Sequence, residues 1–233
     1  MDAQTPSLTE LPKIVPVFPL TGALLLPHGK LPLNIFEPRY KALVEDALAD
    51  QRLFGMIQPD ARAPANPSGP GLFGVGCLGR LSSFSETGDG RYLVALHGLV
   101  RFRVQTEVEG QRDYRRLAVA YTEFQSDLAP PPAVLPHRER LLAALRVYFQ
   151  ANGFDANWEA IEGMDDNDLV VTLAMVCPFE ALEKQALLEA ADAPARADTL
   201  AALLQMGAHA GRIQERPGET ESGDQRYGGR KLS

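Results

Sequence analysis

The sequence predicts an α+β protein in which a mainly β region is followed by a bundle of helices. Between residues 14 and 121, short apolar runs are broken by Pro and Gly, which is typical of strands joined by tight turns. After the segment DLAPPP at 127–132, apolar residues recur with helical spacing instead. A chain of 233 residues is long enough to bury a core without disulfide bonds.

Seven segments of the β region have the composition and alternation of strands. In one of them, Val100 and Phe102 fall on one face, so Arg101 and Arg103 are predicted to point to the solvent side. The turn TGDG at 87–90 predicts an antiparallel hairpin. The predicted strands are residues 14–18, 31–36, 53–58, 75–84, 91–96, 99–104 and 117–121.

Helix-start residues divide the rest of the chain. Pro38 suits the first position of a helix that packs against the sheet. Pro136, Asp165, Pro178 and Asp192 begin the helices of a four- or five-helix bundle. The predicted organisation is a flexible N-terminus, a β subdomain, a Pro-rich joint, the bundle and a disordered tail, at residues 1–13, 14–126, 127–135, 136–210 and 211–233.

Composition excludes several classes of function. The formal charge of −7 disfavours nucleic acid as a partner of the whole molecule. The longest apolar stretch, residues 169–177, is too short for a membrane span, which needs about 20 residues, and the N-terminus lacks a signal peptide. A cytoplasmic protein is therefore expected. Cys77 and Cys177 are predicted to be reduced, buried thiols.

No motif indicates a cofactor, a metal or a catalytic group. The glycines of GVGCLG at 74–79 have dinucleotide-binding spacing, but a strand pattern follows them, so they are predicted to bend a sheet or to let backbones approach closely. The four histidines lack metal-ligand spacing, and DDND at 165–168 is interpreted as a helix cap. A hydrolase that uses His97 is a weaker hypothesis, since His97 also fits the solvent side of a strand.

The only locally basic region contains six arginines between residues 91 and 116. Its simplest interpretation is a solvated face of the sheet. The alternative is a docking surface for an acidic partner or for RNA.

Several segments, taken in order, resemble the Lon N-terminal substrate-binding domain, and especially its stand-alone bacterial members. Cereblon shares that domain. The segments are VPVFPL at 15–20, LPLNIFEPRY at 31–40, LHGLVRFRV at 96–104 and EKQALLE at 183–189. The resemblance implies a PUA-like β pseudo-barrel with one packed helix, followed by a C-terminal helical bundle.

The resemblance also implies a role in recognition rather than catalysis. Full Lon proteases also contain an ATPase module and a Ser-Lys protease module. The motifs of these two modules are not found in this sequence, so no enzyme activity is expected. The implied partners are unfolded or tagged polypeptide segments, together with a protease or chaperone. RNA is the alternative, since PUA-like barrels also bind RNA. Neither a membrane nor a cofactor is implied.

The candidate binding surface comprises Phe36, Glu37, Arg39, Tyr40, Arg101 and Arg103. Such a surface needs exposed apolar groups in a groove ringed by polar ones, and we expect the groove between barrel and bundle. In a purely structural interpretation, Phe36 and Tyr40 pack while Glu37 and Arg39 form an ion pair at the strand–helix turn. We favour packing for Phe36, and both roles stay open for Arg39 and Tyr40.

Overall fold

The computed structural model describes residues 7–109, 112–131, 134 and 136–214. The strands are β1 Ile14–Pro19, β2 Lys30–Ile35, β3 Leu53–Ile57, β4 Val75–Glu86, β5 Tyr92–Val108 and β6 Arg115–Ala120. The helices are α1 Pro38–Ala49, α2 Arg138–Ala151, α3 Trp158–Glu162, α4 Asp166–Val176, α5 Ala181–Glu189 and α6 Ala193–Gln214. The α+β prediction is confirmed.

The six strands form one mixed sheet in the order β2-β5-β4-β3-β1-β6. Strand β5 also pairs with β6, so five of the strands close into a ring and β2 is added to β5 outside it. Strands β1 and β3 are parallel, with Val17 opposite Gly55, and the other pairs are antiparallel. Closure leaves β2 as an edge strand, because it pairs only with β5.

Two predicted strands, 91–96 and 99–104, are in fact one strand of 17 residues. Gly98 does not break it. The pairing with β4 steps from Leu78 opposite Val100 to Gly79 opposite Gly98, so Leu99 is the extra residue of a β-bulge. A Cβ atom at position 98 would lie 2.0 Å from the carbonyl oxygen of Leu26. The glycine is needed for this close approach of two backbones, not for a turn.

The glycine-rich segment 74–79 lies in and just before β4, as the sequence predicts. A Cβ at Gly76 would lie 2.4 Å from the ring of Phe102, so this glycine makes room for an aromatic side chain in the barrel core. Helix α1 turns Tyr40, Leu43 and Val44 towards that core. Cys77 and Cys177 are buried and free, which confirms the prediction of unpaired thiols.

Five helices follow the sheet in the described ranges, and α2 packs along α6. Asp192 caps α6 as predicted, since its Oδ1 accepts a hydrogen bond from Ala195 N at 2.8 Å. Val176 and Leu182 are exposed apolar residues outside the packed interfaces. They flank the turn between α4 and α5, where the chain reaches the surface of the bundle.

Near both ends, the described residues have structure beyond the predicted boundaries of the β subdomain and the bundle. Leu11 is buried, and Pro12 O accepts a hydrogen bond from the Tyr121 hydroxyl at 2.7 Å, so residues 7–13 are tied to the sheet. Helix α6 continues to Gln214, past the predicted boundary at 210. Residues 1–6 and 215–233 lie outside the described residues, as do 132, 133 and 135 of the predicted joint.

Candidate functional site

The structure divides the six predicted site residues between two places. Phe36, Glu37, Arg39 and Tyr40 lie at the junction of β2 and α1, whereas Arg101 and Arg103 lie on the second half of β5. Ile35 pairs with Tyr92 near the start of β5. Arg101 is nine residues farther along that strand, a separation of up to roughly 30 Å. The six residues therefore do not form one surface.

Phe36 is exposed, with 62% of its surface accessible, so the prediction that it packs was wrong. It follows the buried Ile35 at the end of β2, and successive residues of an extended chain point to opposite faces. The Arg91 guanidinium lies 5.6 Å from the centre of the Phe36 ring, within range of a cation–π interaction.

The other three residues of the junction have structural contacts. Arg39 Nη2 lies 2.8 Å from Glu37 Oε2, which confirms the predicted ion pair. Tyr40 is buried, and its ring centre lies 4.1 Å from that of Phe18. The Arg39 guanidinium lies over the same tyrosine ring, 4.6 Å from its centre. Tyr40 therefore anchors α1 to the sheet, while Glu37 and Arg39 remain at the surface.

An exposed apolar residue that the sequence reasoning missed lies beside Phe36. Leu93 is 45% exposed and pairs across the strands with Asn34, two residues before Phe36. Phe36, Arg91, Leu93 and Asn34 share one face of the sheet, and we call these four residues the edge patch. The available signal was an apolar residue between the buried Tyr92 and Val94, at a position where alternation requires a polar one.

The edge patch lies along the open side of the sheet. Pro32, in the middle of β2, has no N–H group, and proline on an edge strand limits the addition of a further strand. The patch therefore offers a partner side-chain contacts rather than a complete backbone ladder.

Arg101 is buried, with 1% of its surface accessible, and its prediction as a surface residue was wrong. Its Nε and Nη2 donate to the two carboxylate oxygens of Asp127 at 2.8 and 2.9 Å, and its Nη1 donates to Leu188 O at 3.0 Å. The side chain points away from Val100 and Phe102, as the alternation predicts. The segment around Asp127 and the end of α5 cover that side of the strand.

Buried polar contacts also replace the apolar groove that we expect between sheet and bundle. Gln58, just after β3, donates to Gln185 Oε1 of α5 at 3.2 Å. Gln185 donates in turn to Val75 O of β4 at 3.2 Å, and Lys184 Nζ donates to Gly22 O at 2.8 Å. We call this interface, with the Arg101–Asp127 pair, the polar seam. Burial lowers the pKa of Lys184.

Carboxylates of the chain itself neutralise most of the basic region. Five of its six arginines form ion pairs, namely Arg91 with Asp89, Arg101 with Asp127, Arg103 with Glu123, Arg112 with Asp46 and Arg115 with Glu107. Hydrogen bonds from these arginines lower the pKa of Glu107 and of Glu123. The RNA-binding alternative therefore gains no support, since a phosphate backbone would have to compete with these carboxylates.

No reactive constellation is found in the described ranges. They hold no group of three or more His, Cys, Asp and Glu residues that could bind a metal ion. The Ser82 hydroxyl donates to Ala95 O at 3.1 Å, while His97 is exposed on the adjacent strand. Burial raises the pKa of the Cys77 thiol, so it stays protonated. In the same part of the chain, no helix has the length and apolar character needed to cross a membrane.

Together, a mixed sheet that closes on itself and a helical bundle held to it by polar contacts define a two-layer α+β protein. The chain belongs to a known family, the ATP-dependent protease La (LON) substrate-binding domain, whose model matches residues 14–206. This match confirms the resemblance seen in the sequence.

Curated relatives are much longer than this chain. "Lon protease 2" of Sorangium cellulosum is 37% identical over 93 residues, which cover 40% of this chain and 12% of the relative. "Lon protease" of Syntrophus aciditrophicus is 26% identical over 198 residues, or 78% of this chain and 24% of the relative. The chain thus spans a quarter or less of the length of these relatives.

Solved structures share the fold at low identity. A Lon N-terminal domain protein from Xanthomonas campestris aligns with a TM-score of 0.57 at 24% identity, covering 81% of this chain and 97% of that one. The N-terminal domain of Lon protease from the Mycobacterium avium complex aligns with a TM-score of 0.58 at 16% identity, covering 82% and 98%. These likenesses support the architecture of sheet and helices described above.

Proposed function

We propose that this chain is a non-catalytic polypeptide-binding module that holds extended or unfolded segments against the edge patch. The observation that carries the proposal is the exposure of Phe36 beside Leu93 in a domain whose family is defined by substrate binding. A monomer does not gain stability from these side chains in water, so their exposure is consistent with contact to a partner.

The chemistry of the edge patch suits an apolar segment with polar flanks. Burying a phenylalanine side chain in an interface contributes about 1.5–3 kcal/mol. Arg91 borders the patch and is paired with Asp89 at 2.9 Å, so a partner meets a polar rim with little net charge. Aromatic residues and arginine are enriched in such interfaces, where the aromatic ring supplies contact area and arginine supplies directed hydrogen bonds.

We propose further that the chain acts as an adaptor that presents clients to a protease or chaperone. The family match supports this, since the relatives named above are Lon proteases in which the matching region is a small part of a longer chain. The lack of a reactive constellation in the described residues is consistent with binding without hydrolysis.

A peptide-binding measurement tests the proposal. Fluorescence anisotropy is measured with labelled extended peptides that contain apolar clusters and with scrambled, polar controls. The apolar peptides are expected to bind more tightly than the polar controls. Phe36→Ser is expected to weaken the binding of the apolar peptides roughly tenfold, because about 1.4 kcal/mol of apolar burial is lost.

Val176→Ser is the matched control, because Val176 is an apolar residue with 74% exposure that lies outside the edge patch. It is expected to leave binding unchanged. Equal binding of apolar and polar peptides, or equal losses in the two variants, would overturn the proposal.

A further inference from the structure

A second feature, separate from the edge patch, is a cavity at the polar seam. It has a volume of about 160 Å³. The loop at Pro27 and His28 forms one wall, the segment 126–131 forms another, and Asn167 of α4 and the first residues of α6 complete it. The cavity thus lies between parts of the chain that come from the sheet and from the helices.

Arg196 lines this cavity, and no carboxylate of the described residues lies within ion-pair distance of it, although the charges of Asp127 and Asp192 act on it from farther away. The residue is 5% exposed, and its Nε donates to Leu187 O at 3.0 Å. Its Nη2 is buried and has no hydrogen-bond acceptor among the described residues, and no carboxylate of that set forms an ion pair with it. Buried polar groups almost always have partners, so an arginine with an unpartnered nitrogen in the wall of a cavity is a candidate for binding an acceptor from outside the described residues.

The two aspartates of the cavity are engaged elsewhere. Both carboxylate oxygens of Asp127 bind Arg101, and Asp192 Oδ1 caps α6. Helix α6 is 22 residues long and directs its N-terminus, with Ala193 and Pro194, into the cavity. The Asp192 carboxylate already offsets the positive end of the helix dipole, so the charge that favours an anion in the cavity is that of Arg196.

Two further polar groups face the same space. Asn167 is buried and carries an amide, and His28 is held in a left-handed backbone conformation with φ of 66°. Burial and the nearby His97 lower the pKa of His28, so its ring is neutral at pH 7, and the ring is hydrogen-bonded to the backbone of Asp127. Burial and the proximity of Arg101 lower the pKa of Arg196 to about 10, so it remains a cation.

We propose that the cavity at the polar seam binds a carboxylate group, with Arg196 as its ion-pairing residue and Asn167 as a hydrogen-bond donor. A carboxylate carries one negative charge and matches one arginine, whereas a phosphate dianion would keep a second negative charge without a counter-ion. The rings of Pro27, Pro130, Pro131 and Pro194 supply apolar walls for the carbon atoms attached to it.

A carboxylate of this kind has two sources, a small organic acid or the free C-terminus of a polypeptide. Isothermal titration calorimetry with propionate, N-acetylalanine, N-acetylalaninamide and inorganic phosphate distinguishes them. Saturable binding of one or both acids is expected, without binding of the amide. Tighter binding of N-acetylalanine than of propionate points to a polypeptide C-terminus, and the reverse order points to a small acid. Equal binding of the amide or of phosphate, or no saturable binding, would overturn the proposal.

Two variants locate the site. Arg196→Lys keeps the charge but removes the planar guanidinium, and it is expected to weaken binding roughly tenfold or more, the equivalent of one charged hydrogen bond. Ala193→Met fills the cavity from its rim and keeps the Arg196 side chain, so it keeps the test valid if the lysine variant does not fold. Unchanged affinity in Ala193→Met, checked by circular dichroism to be folded, would contradict the site.

Phe36→Ser is the control, because Phe36 belongs to the edge patch and not to this cavity. It is expected to leave the carboxylate affinity unchanged. This site and the polypeptide-binding proposal therefore fail independently.

Discussion

The outward face of β5 is exposed to solvent near the start of the strand and covered by other segments near its middle. Near its start, Leu93 points outward and stays exposed as part of the edge patch. Near its middle, Arg101 points outward and is buried under the segment around Asp127 and the end of α5. The apolar Leu93 is thus exposed to water, while the charged Arg101 is buried. The burial of each residue depends on whether another segment covers the strand there, and not on the polarity of the residue.

The covered end gains directional contacts from its polarity. Arg101 binds Asp127 through two parallel hydrogen bonds, and Gln58 and Gln185 link β3 to α5. Such bonds have defined lengths and angles, so they fix the position of the helices on the sheet more narrowly than apolar contacts do. The uncovered end has no such constraint and is free to contact a partner.

Removal of the Arg101 side chain should have the largest effect. Arg101→Ala leaves Asp127 as an unpaired, buried carboxylate, so the free energy of unfolding should fall by about 3–5 kcal/mol in urea denaturation. The matched control is Arg103→Ala, which breaks the exposed pair with Glu123 and should cost about 0–1 kcal/mol. Equal losses in the two variants would show that the Arg101 pair is not effectively buried.

The glutamine link should have the next largest effect. Gln185→Ala removes the acceptor of Gln58 and the donor to Val75 O, and it should lower the free energy of unfolding by about 1–3 kcal/mol. Gln205→Ala, on the exposed side of α6, should change it by less than about 0.5 kcal/mol in the same experiment. If the urea denaturation curves of the two variants coincide, the hydrogen bonds between Gln58 and Gln185 do not contribute to stability.

A smaller effect should appear as a dependence on pH near His28. Burial lowers the pKa of His28 from 6.5 in the folded state, so below pH 6.5 the unfolded chain binds more protons at this position and stability falls as pH decreases. Asparagine tolerates the left-handed backbone conformation at this position. His28→Asn should therefore reduce the dependence of the free energy of unfolding on pH, measured by urea denaturation between pH 7 and 5.

His137→Asn is the control for this pH dependence, because His137 also has a positive φ, 67°, but is exposed. Its slope should match that of the parent protein. A parent-like slope in His28→Asn would assign the acid sensitivity to another group.

The smallest effect on stability should come from the edge patch. Phe36→Ser removes a side chain that the fold does not bury, so the free energy of unfolding should change by less than about 0.5 kcal/mol even though peptide binding weakens. Thermal denaturation followed by circular dichroism checks this. A loss of more than about 1.5 kcal/mol, as expected for a buried phenylalanine, would mean that Phe36 supports the fold rather than a partner.

Much of the fold was accessible from local patterns. The alternation in 100–103, the turn at 87–90 and the Pro38 helix start all predicted the observed elements, because each depends on neighbours within a few residues. The glycine at 98 misled the strand prediction, since the close approach that requires it comes from Leu26, which is distant in sequence. Of the predicted site residues, the sequence indicated the Glu37–Arg39 pair but not the exposure of Phe36.

The sequence by itself determined the order of strands and helices, the α+β class and the family resemblance, because periodicity, turn residues and motifs are properties of consecutive residues. Only the tertiary structure decided that Arg101 is buried, that Phe36 and Leu93 share an exposed face, and that Arg196 lines a cavity. The physical reason is that covering a surface requires a second segment, and Asp127, Leu188 and Asp192 reach their positions only when the helices pack on the closed sheet.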